Sequence, residues 1–383
     1  MSLDHDAWYR ALVTRDARFD GRLFVGVRTT GIYCRPVCPA RTPLRQNVHF
    51  YPSAAAAQEA GFRPCLRCRP ECSPDLGAWR GTSNTVTRAL ALIHEGGLDE
   101  DSVATLAERV GVGERQLRRL FAQHLGASPV AVAQTRRVLF ARALIAETHL
   151  SMAEIALAAG FGSVRRFNAT FLQLYGRPPR ELRRRRGEDR AAATGISLLL
   201  PYAEPYDWAS ILGFLAARAL PGVEIVDSAG CYRRTIALEG HTGTLSVTHR
   251  PEKRGLEATI HFPKVSALAT IVTRLRRLFD LGADPVSIDA HLAHDPFLLP
   301  LVKARPGLRM PGAWDAGDLR DPDAFTASDL ARLRSMAAST GQKALSADLL
   351  CRAEAWRPWR AYAALHLWTS ESTSLETSHV LAA

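Results

Sequence analysis

The chain contains no run of about eighteen consecutive apolar residues, so no membrane-spanning helix is expected. Low-complexity repeats are absent, and 47% hydrophobic with 23% charged residues excludes wholesale disorder. The first ten residues, MSLDHDAWYR, have neither the basic start nor the apolar core of a secretory signal, so a cytoplasmic, nucleoid-associated protein is expected. Cysteine is scarce and odd in number, seven in 383 residues, which argues against a disulfide framework. Five of the seven (Cys34, Cys38, Cys65, Cys68 and Cys72) fall in one short stretch, and in a reducing compartment such a cluster points to a metal. Acidic residues are short in one half only. Residues 1–190 carry 29 basic against 18 acidic residues, whereas residues 191–383 carry 20 of each, so the whole net charge of +11 lies in the first half. A basic half joined to a neutral one reads as a polyanion-binding module carrying something with a different task, and nucleic acid is the first partner to expect.

Length predicts two to four compact units, since single cores stop growing near about 250–300 residues. Three composition breaks divide the chain: CSPDLGAWRGTSNT at 72–85, RPPRELRRRRGEDRAAAT at 177–194, and the turn-rich PGLRMPGAWDAGDLRDPDAF at 306–325. Between the first two breaks, six segments from NTVTRALALIHE to SVRRFNATFLQLYG space their apolar residues three or four apart. Ser, Thr or Asn stands near their starts and Gly at several stops, which predicts an all-helical unit. After residue 195 the period changes: SLLLPY, GCYRRTIAL, GTLSVTH and EATIHF alternate like strands and flank the helix-like WASILGFLAARAL and VSALATIVTRLRRLFDL. Helical spacing returns in SADLLCRAEAWRPWRAYAALHLW.

Cys34 and Cys38 have three residues between them, Cys65 and Cys68 two, and 26 residues separate the pairs. Two close pairs set apart suit a tetrahedral four-thiolate zinc site, each pair spanning two vertices. The bland alternative is one structural zinc that staples a module too small to rely on its core. The surrounding text, VRTTGIYCRPVCPARTPLRQNVHFYPSAAAAQEAGFRPCLRCRPE, resembles the zinc domain of the Ada-type adaptive-response proteins over residues 8–71. The resemblance implies removal of methyl groups from DNA phosphotriesters. It makes Cys34 the methyl acceptor, with Cys38, Cys65 and Cys68 completing the shell of one Zn²⁺ that is both structural and thiolate-activating. It also implies that Thr30, Arg41 and Arg63 touch the DNA backbone, and it leaves Cys72 a bystander.

SVATLAERVGVGERQLRRLFAQHLG and SMAEIALAAGFGSVRRFNATFLQLYG share one plan: a helix with a small residue near its centre, a turn holding Gly, and a second helix with Arg on its exposed face. That is a helix-turn-helix written twice. Residues 84–186 resemble the AraC-type DNA-binding domain, through AxxxGF at Ala156–Phe161 and GRPPRELRR at Gly176–Arg184. Candidate groove contacts are Arg115, Arg118, Arg119, Arg165, Arg166 and Asn168, and the run Arg183–Arg186 offers sequence-independent phosphate contacts or a solvated linker. The Pro-Cys-His-Arg motif of the Ada-type guanine methyltransferase domain is absent, so repair of O6-methylguanine is not expected.

PYDWASILGFLAARALPGVEIV, RLRRLFDLGADP and ARPGLRMPGAWD, within residues 196–315, resemble the N-terminal domain of AlkA-type 3-methyladenine DNA glycosylases, and RAEAWRPWRAYAALHLW resembles the close of that family. The helix-hairpin-helix between them, a PGIGxWTA-like motif, is missing, as if roughly a hundred residues had been lost. The resemblance sets the catalytic aspartate at Asp329 and a pocket aromatic at Trp368, yet base excision is expected to be weak or lost, because the carboxylate lacks a positioned substrate. Trp356, Trp359, Tyr362 and Trp368 are expected to stay partly uncovered, since the missing helices would ordinarily cover them.

The expected fold is multidomain α+β. It comprises a four-cysteine zinc module (1–75), an all-α AraC-type double helix-turn-helix (84–186), an antiparallel-sheet domain resembling the AlkA N-terminal domain (195–310) and a helical remnant (311–383). The expected function is a DNA-alkylation-responsive regulator that repairs methylphosphotriesters by irreversible self-methylation and binds double-stranded promoter DNA, with RNA polymerase a further candidate partner and no small-molecule cofactor. Two readings stand beside it: a multiple-turnover glycosylase targeted by the regulatory half, and a plain transcription factor with structural zinc.

Overall fold

The computed structural model describes residues 5–70, 73, 84–99, 101–183, 195–314, 323, 325, 329 and 346–369. Cys72 and Arg184–Arg186 lie outside them. The chain forms two compact units, Met1–Tyr202 with Arg218–Arg276, and Ala203–Ala217 with Arg277–Ala383.

The first unit opens with α1 (His5–Thr14), β1 (Phe24–Val27), β2 (Ile32–Cys34), β3 (Val48–Tyr51), α2 (Ala54–Glu59) and β4 (Arg63–Pro64). The strands make one sheet in the order β3-β1-β2-β4, antiparallel except for the parallel pair β2/β4. Ser53 caps α2 by accepting the Ala56 N–H at 3.0 Å, and its hydroxyl donates to the Leu125 carbonyl at 2.6 Å, so one side chain both starts a helix and ties this sheet to the helical region.

Six helices follow: α3 (Asn84–His94), α4 (Val103–Arg109), α5 (Glu114–Leu125), α6 (Pro129–Glu147), α7 (Met152–Ala158) and α8 (Val164–Tyr175). Their ends are written in the sequence. Ser102, Ser128, Ser151 and Ser163 each accept a backbone N–H at an N-cap, Ser151 with Glu154 in a capping box. Gly126 and Gly176 close α5 and α8 in the left-handed region, at φ 63° and 67°. Val86, Ile93, Leu106, Leu117 and Phe121 fill the core of the first helix-turn-helix. Ala55 and Ala56 of α2 pack on Ala127 with Ala131 and Val132, so the cysteine-bearing sheet leans on the start of α6.

The unit ends in a five-stranded antiparallel sheet, order β5-β9-β8-β7-β6, built from β5 (Ile196–Pro201), β6 (Glu224–Val226), β7 (Tyr232–Leu238), β8 (His241–Arg250) and β9 (Gly255–His261). Every second residue of β7 from Tyr232 to Ile236 is buried, the alternation that the sequence predicts for a sheet with one covered face. The short edge strand β6 has no such signal. Helix α10 spans Leu268–Leu278.

The second unit holds α9 (Trp208–Ala217), α11 (Pro285–Leu292), α12 (Leu299–Ala304), α13 (Ser346–Glu354) and α14 (Arg360–Thr369). Arg309 is fully buried, bonded to the carbonyls of Ala203, Pro205 and Ala283, with its guanidinium 4.7 Å from the centre of the Tyr206 ring. The expectation of an uncovered aromatic cluster is corrected here. Trp356 is 1% exposed, and Trp359 and Tyr362 are also buried; only Trp368, at 48%, stands open. The cause is a set of partners that the remaining chain supplies. Trp356 Nε1 donates to Asp295 at 2.7 Å and meets Phe325 edge-on, and the Tyr362 hydroxyl donates to Asp280 at 2.7 Å.

Candidate metal centre and nucleic-acid interface

The parallel pairing of β2 with β4 brings the two cysteine pairs together. Tyr33 stands opposite Pro64, and the Cys65 N–H donates to the Tyr33 carbonyl at 3.0 Å, so Cys65 arrives beside Cys34 at the strand ends. A turn closed by Cys38 N–H on the Arg35 carbonyl brings Cys38 back to the same point. All four Sγ atoms lie within 4.8 Å of one another. Four thiolates about 2.3 Å from a tetrahedral zinc stand about 3.8 Å apart, so the donor set and its spacing fit Zn²⁺. The fit is also electrostatic. Crowding forces the four thiols to share protons: contact with Cys38, then with Cys65 and Cys68, pushes Cys34 far up, while contact with Cys34, Cys38 and Cys68 holds Cys65 far down. Four such sulfurs carry full thiolate charge together only around a cation.

The sulfurs are not equivalent. Cys38, Cys65 and Cys68 are buried and Cys34 is half-buried. Backbone N–H groups serve two of the buried three: Arg35 donates to Cys68 Sγ at 3.4 Å and Arg67 to Cys65 Sγ at 3.3 Å. Among the described residues no backbone N–H stands so to Cys34 Sγ. Hydrogen bonds to a thiolate draw off its charge, so Cys34, the most open of the set, keeps charge that Cys65 and Cys68 share with the backbone. Arg35 is itself clamped, its Nε donating to Asp20 at 2.8 Å and Nη1 to the Cys68 carbonyl at 3.2 Å.

Thr30 lies exposed in the turn between β1 and β2, Arg41 is exposed beyond Cys38, and Arg63 is half-buried in β4 opposite Ile32. The helical candidates stand on two helices. Arg115, Arg118 and Arg119 are exposed on α5, and Arg165, Arg166 and Asn168 are exposed on α8. Arg118 is held along its own helix by Glu114 at 2.6 Å. In the second unit, Asp329 is buried and accepts Trp368 Nε1 at 2.8 Å, so the two residues singled out there do meet.

Sequence reasoning missed Asp20, Arg35, Arg69, Arg142 and Glu147. Arg142 alone left a signal, a charged residue inside the apolar run of α6 between Ala141 and Leu144.

A four-thiolate module joined to two helix-turn-helices defines a zinc-containing protein of the nucleic-acid-binding class. Comparison with known proteins sharpens that. Residues 7–71 match the family model for the metal binding domain of Ada, residues 106–185 a helix-turn-helix domain, and residues 197–315 the AlkA N-terminal domain. The chain is a fusion of these three domain types, and its four-cysteine cluster is a Zn²⁺ site. It is 43% identical over 319 residues to a Mycobacterium tuberculosis protein named "Probable bifunctional transcriptional activator/DNA repair enzyme AlkA", covering 82% of this chain and 64% of that one. The bifunctional transcriptional activator/DNA repair enzyme Ada of Escherichia coli is 38% identical over 162 residues, covering 42% of this chain and 43% of its own length. A crystal structure of the methylated N-Ada/DNA complex shares 36% identity over 36% of this chain and 99% of that one, at a TM-score of 0.18. The chain thus spans just under two thirds of the mycobacterial relative.

Proposed function

We propose that this chain senses DNA alkylation by taking a methyl group from a backbone phosphotriester onto Cys34, and binds promoter DNA through α5 and α8. The observation that carries the reading is the inequivalence of four clustered sulfurs, with Cys34 half-buried, the other three buried, and backbone N–H groups on Cys65 and Cys68. When bound, Zn²⁺ keeps the thiols deprotonated at neutral pH, and a thiolate rather than a thiol attacks carbon. The Cys34 sulfur pair forms the new S–C bond as the methyl C–O bond breaks. The released electron pair stays on the phosphate oxygen and restores the diester. Thr30, Arg41 and Arg63 would hold the backbone beside Cys34. Four thiolates around a dication carry a net charge of −2, and conversion of one to a neutral thioether removes one unit of repulsion toward DNA. The thioether has no route back, so each molecule acts once.

The reading includes division of labour along residues 1–75, 84–186, 195–310 and 311–383, work in the cytoplasm at the nucleoid, and RNA polymerase as a partner at promoters. Base excision by the second unit is not part of it. The carboxylate of Asp329 is already engaged by Trp368, and no PGIGxWTA-like hairpin motif is present in the sequence to hold a flipped base near it.

The test is the intact mass of zinc-loaded protein after incubation with methylphosphotriester DNA, followed by peptide mapping. One added methyl on Cys34 is the expected result. Correctly folded, zinc-bound protein that gains no mass would leave a structural zinc and a plain regulator.

A further inference from the structure

Helix α6 lies between the two helix-turn-helices, and its second half is fastened to the cysteine site at two points. Arg142, 6% exposed, donates from Nη1 to the carbonyl of Cys65 at 3.3 Å. Glu147, at the last turn, pairs with Arg69, the residue after Cys68, and its other oxygen accepts the Leu199 N–H of β5 at 2.9 Å. The first half of the same helix is fastened to the DNA-binding turns. Arg136 and Arg137 both bond the Asp99 carboxylate, at 3.0 and 2.9 Å, and that carboxylate lies against Gly160 in the turn before α8, so close that a Cβ there would overlap it. From Cys65 to α8 there is thus an unbroken series of contacts through one rigid helix, in which Arg137 and Arg142 are only about 7–8 Å apart along the axis.

We propose that α6 couples the charge of the four sulfurs to the second helix-turn-helix, with Arg142 and the Arg69–Glu147 pair as the coupling residues. The proposal rests on the methyl-transfer reading above. Before transfer, the Arg142 guanidinium of α6 stands on the Cys65 carbonyl beside the thiolates, and Arg69, next to Cys68, pairs with Glu147 at the end of α6. Loss of one negative charge weakens the attraction of Arg142 to the site and changes the field at the Arg69–Glu147 pair, α6 shifts against the segment Cys65–Arg69, and Asp99 carries the shift to the turn that aims α8. Direct relief of charge repulsion would act without α6, so variants at the joint separate the two routes.

The experiment uses the full zinc-loaded chain as wild type, Glu147→Gln and Arg142→Lys, each first checked for zinc content and thermal melting. Affinity for a short duplex of random sequence is measured before and after methylation of Cys34. The wild type is expected to gain about tenfold and the variants no more than about twofold, within the range usual for coupled sites. Equal gains in all three, or none in the wild type, would overturn the proposal. Coupling is reciprocal in equilibrium affinity, so a second measurement follows zinc loss at equilibrium to a competing chelator with and without the same duplex. The duplex should change the apparent zinc affinity in the wild type and not in the variants. An equal effect in all three, or no effect at all, overturns the proposal. If mass analysis shows no methyl on Cys34, the methyl-transfer reading has failed and the zinc-loss measurement decides the coupling by itself.

Discussion

Asp99 accepts the Arg137 Nε at 2.9 Å while its second oxygen takes Arg136 at 3.0 Å, so one carboxylate from the loop after α3 fixes two consecutive guanidinium groups of α6. Replacing it with Asn leaves two largely covered cations short of their counter-charge. Asp99→Asn is expected to cost about 1–3 kcal/mol in denaturant unfolding and to weaken DNA binding, with methyl uptake on Cys34 retained. Unchanged DNA affinity in a destabilised variant would show that the two helix-turn-helices need no fixed alignment.

Asp20 acts one step behind the metal. It holds Arg35, whose backbone N–H serves Cys68 Sγ. Asp20→Asn keeps all four sulfurs and is expected to lower zinc affinity about 10–100-fold in competition with a chelator. Affinity equal to wild type would mean that the strand register alone orients Cys68.

The second unit contains two groups with opposed responses to acid. Burial lowers His366 from 6.5 to about 4, so the unfolded chain takes up a proton first and stability is lost as pH falls from 6.5 toward 4. Burial raises Asp289 from 3.8 to about 6, so the folded chain holds the extra proton and stability is lost as pH rises from 3.8 toward 6. The two contributions offset one another over most of the window. In Asp289→Asn the histidine acts unopposed, and melting profiles should show a loss on the order of 3 kcal/mol between pH 6.5 and 4 that the wild type lacks. A flat profile for the variant would contradict the assignment to His366.

Methylated duplex DNA incubated with the full chain is expected to release no 3-methyladenine above the spontaneous rate, and Asp329→Asn should make no difference to that. Release that disappears in Asp329→Asn would restore the glycosylase reading.

Much of this molecule can be read in one dimension because its signals are local. Ser102, Ser128, Ser151 and Ser163 mark helix starts, Gly126 and Gly176 mark stops, and the cysteine spacing already implies four sulfurs around one ion. What stayed hidden depends on partners far along the chain. The two-residue strand β4 has no period to detect, yet its register with β2 aligns Cys65 with Cys34. Arg142 and Glu147 look like ordinary helix residues until α6 meets the zinc module. The burial of the aromatic cluster is invisible in the sequence because it depends on Asp295, Phe325 and Asp280, which are distant along the chain from Trp356 and Tyr362.

The bond from Leu199 to Glu147 also guards the edge of a sheet. Strand β5 is an outer strand of its sheet, and an outer strand offers unpaired N–H groups on which another chain can assemble. Here the Glu147 carboxylate of α6 occupies one of those groups. With the chain cut between Arg183 and Gly195, the sheet is expected to lose that stopper whenever the two pieces part, and to self-pair more readily than in the intact chain.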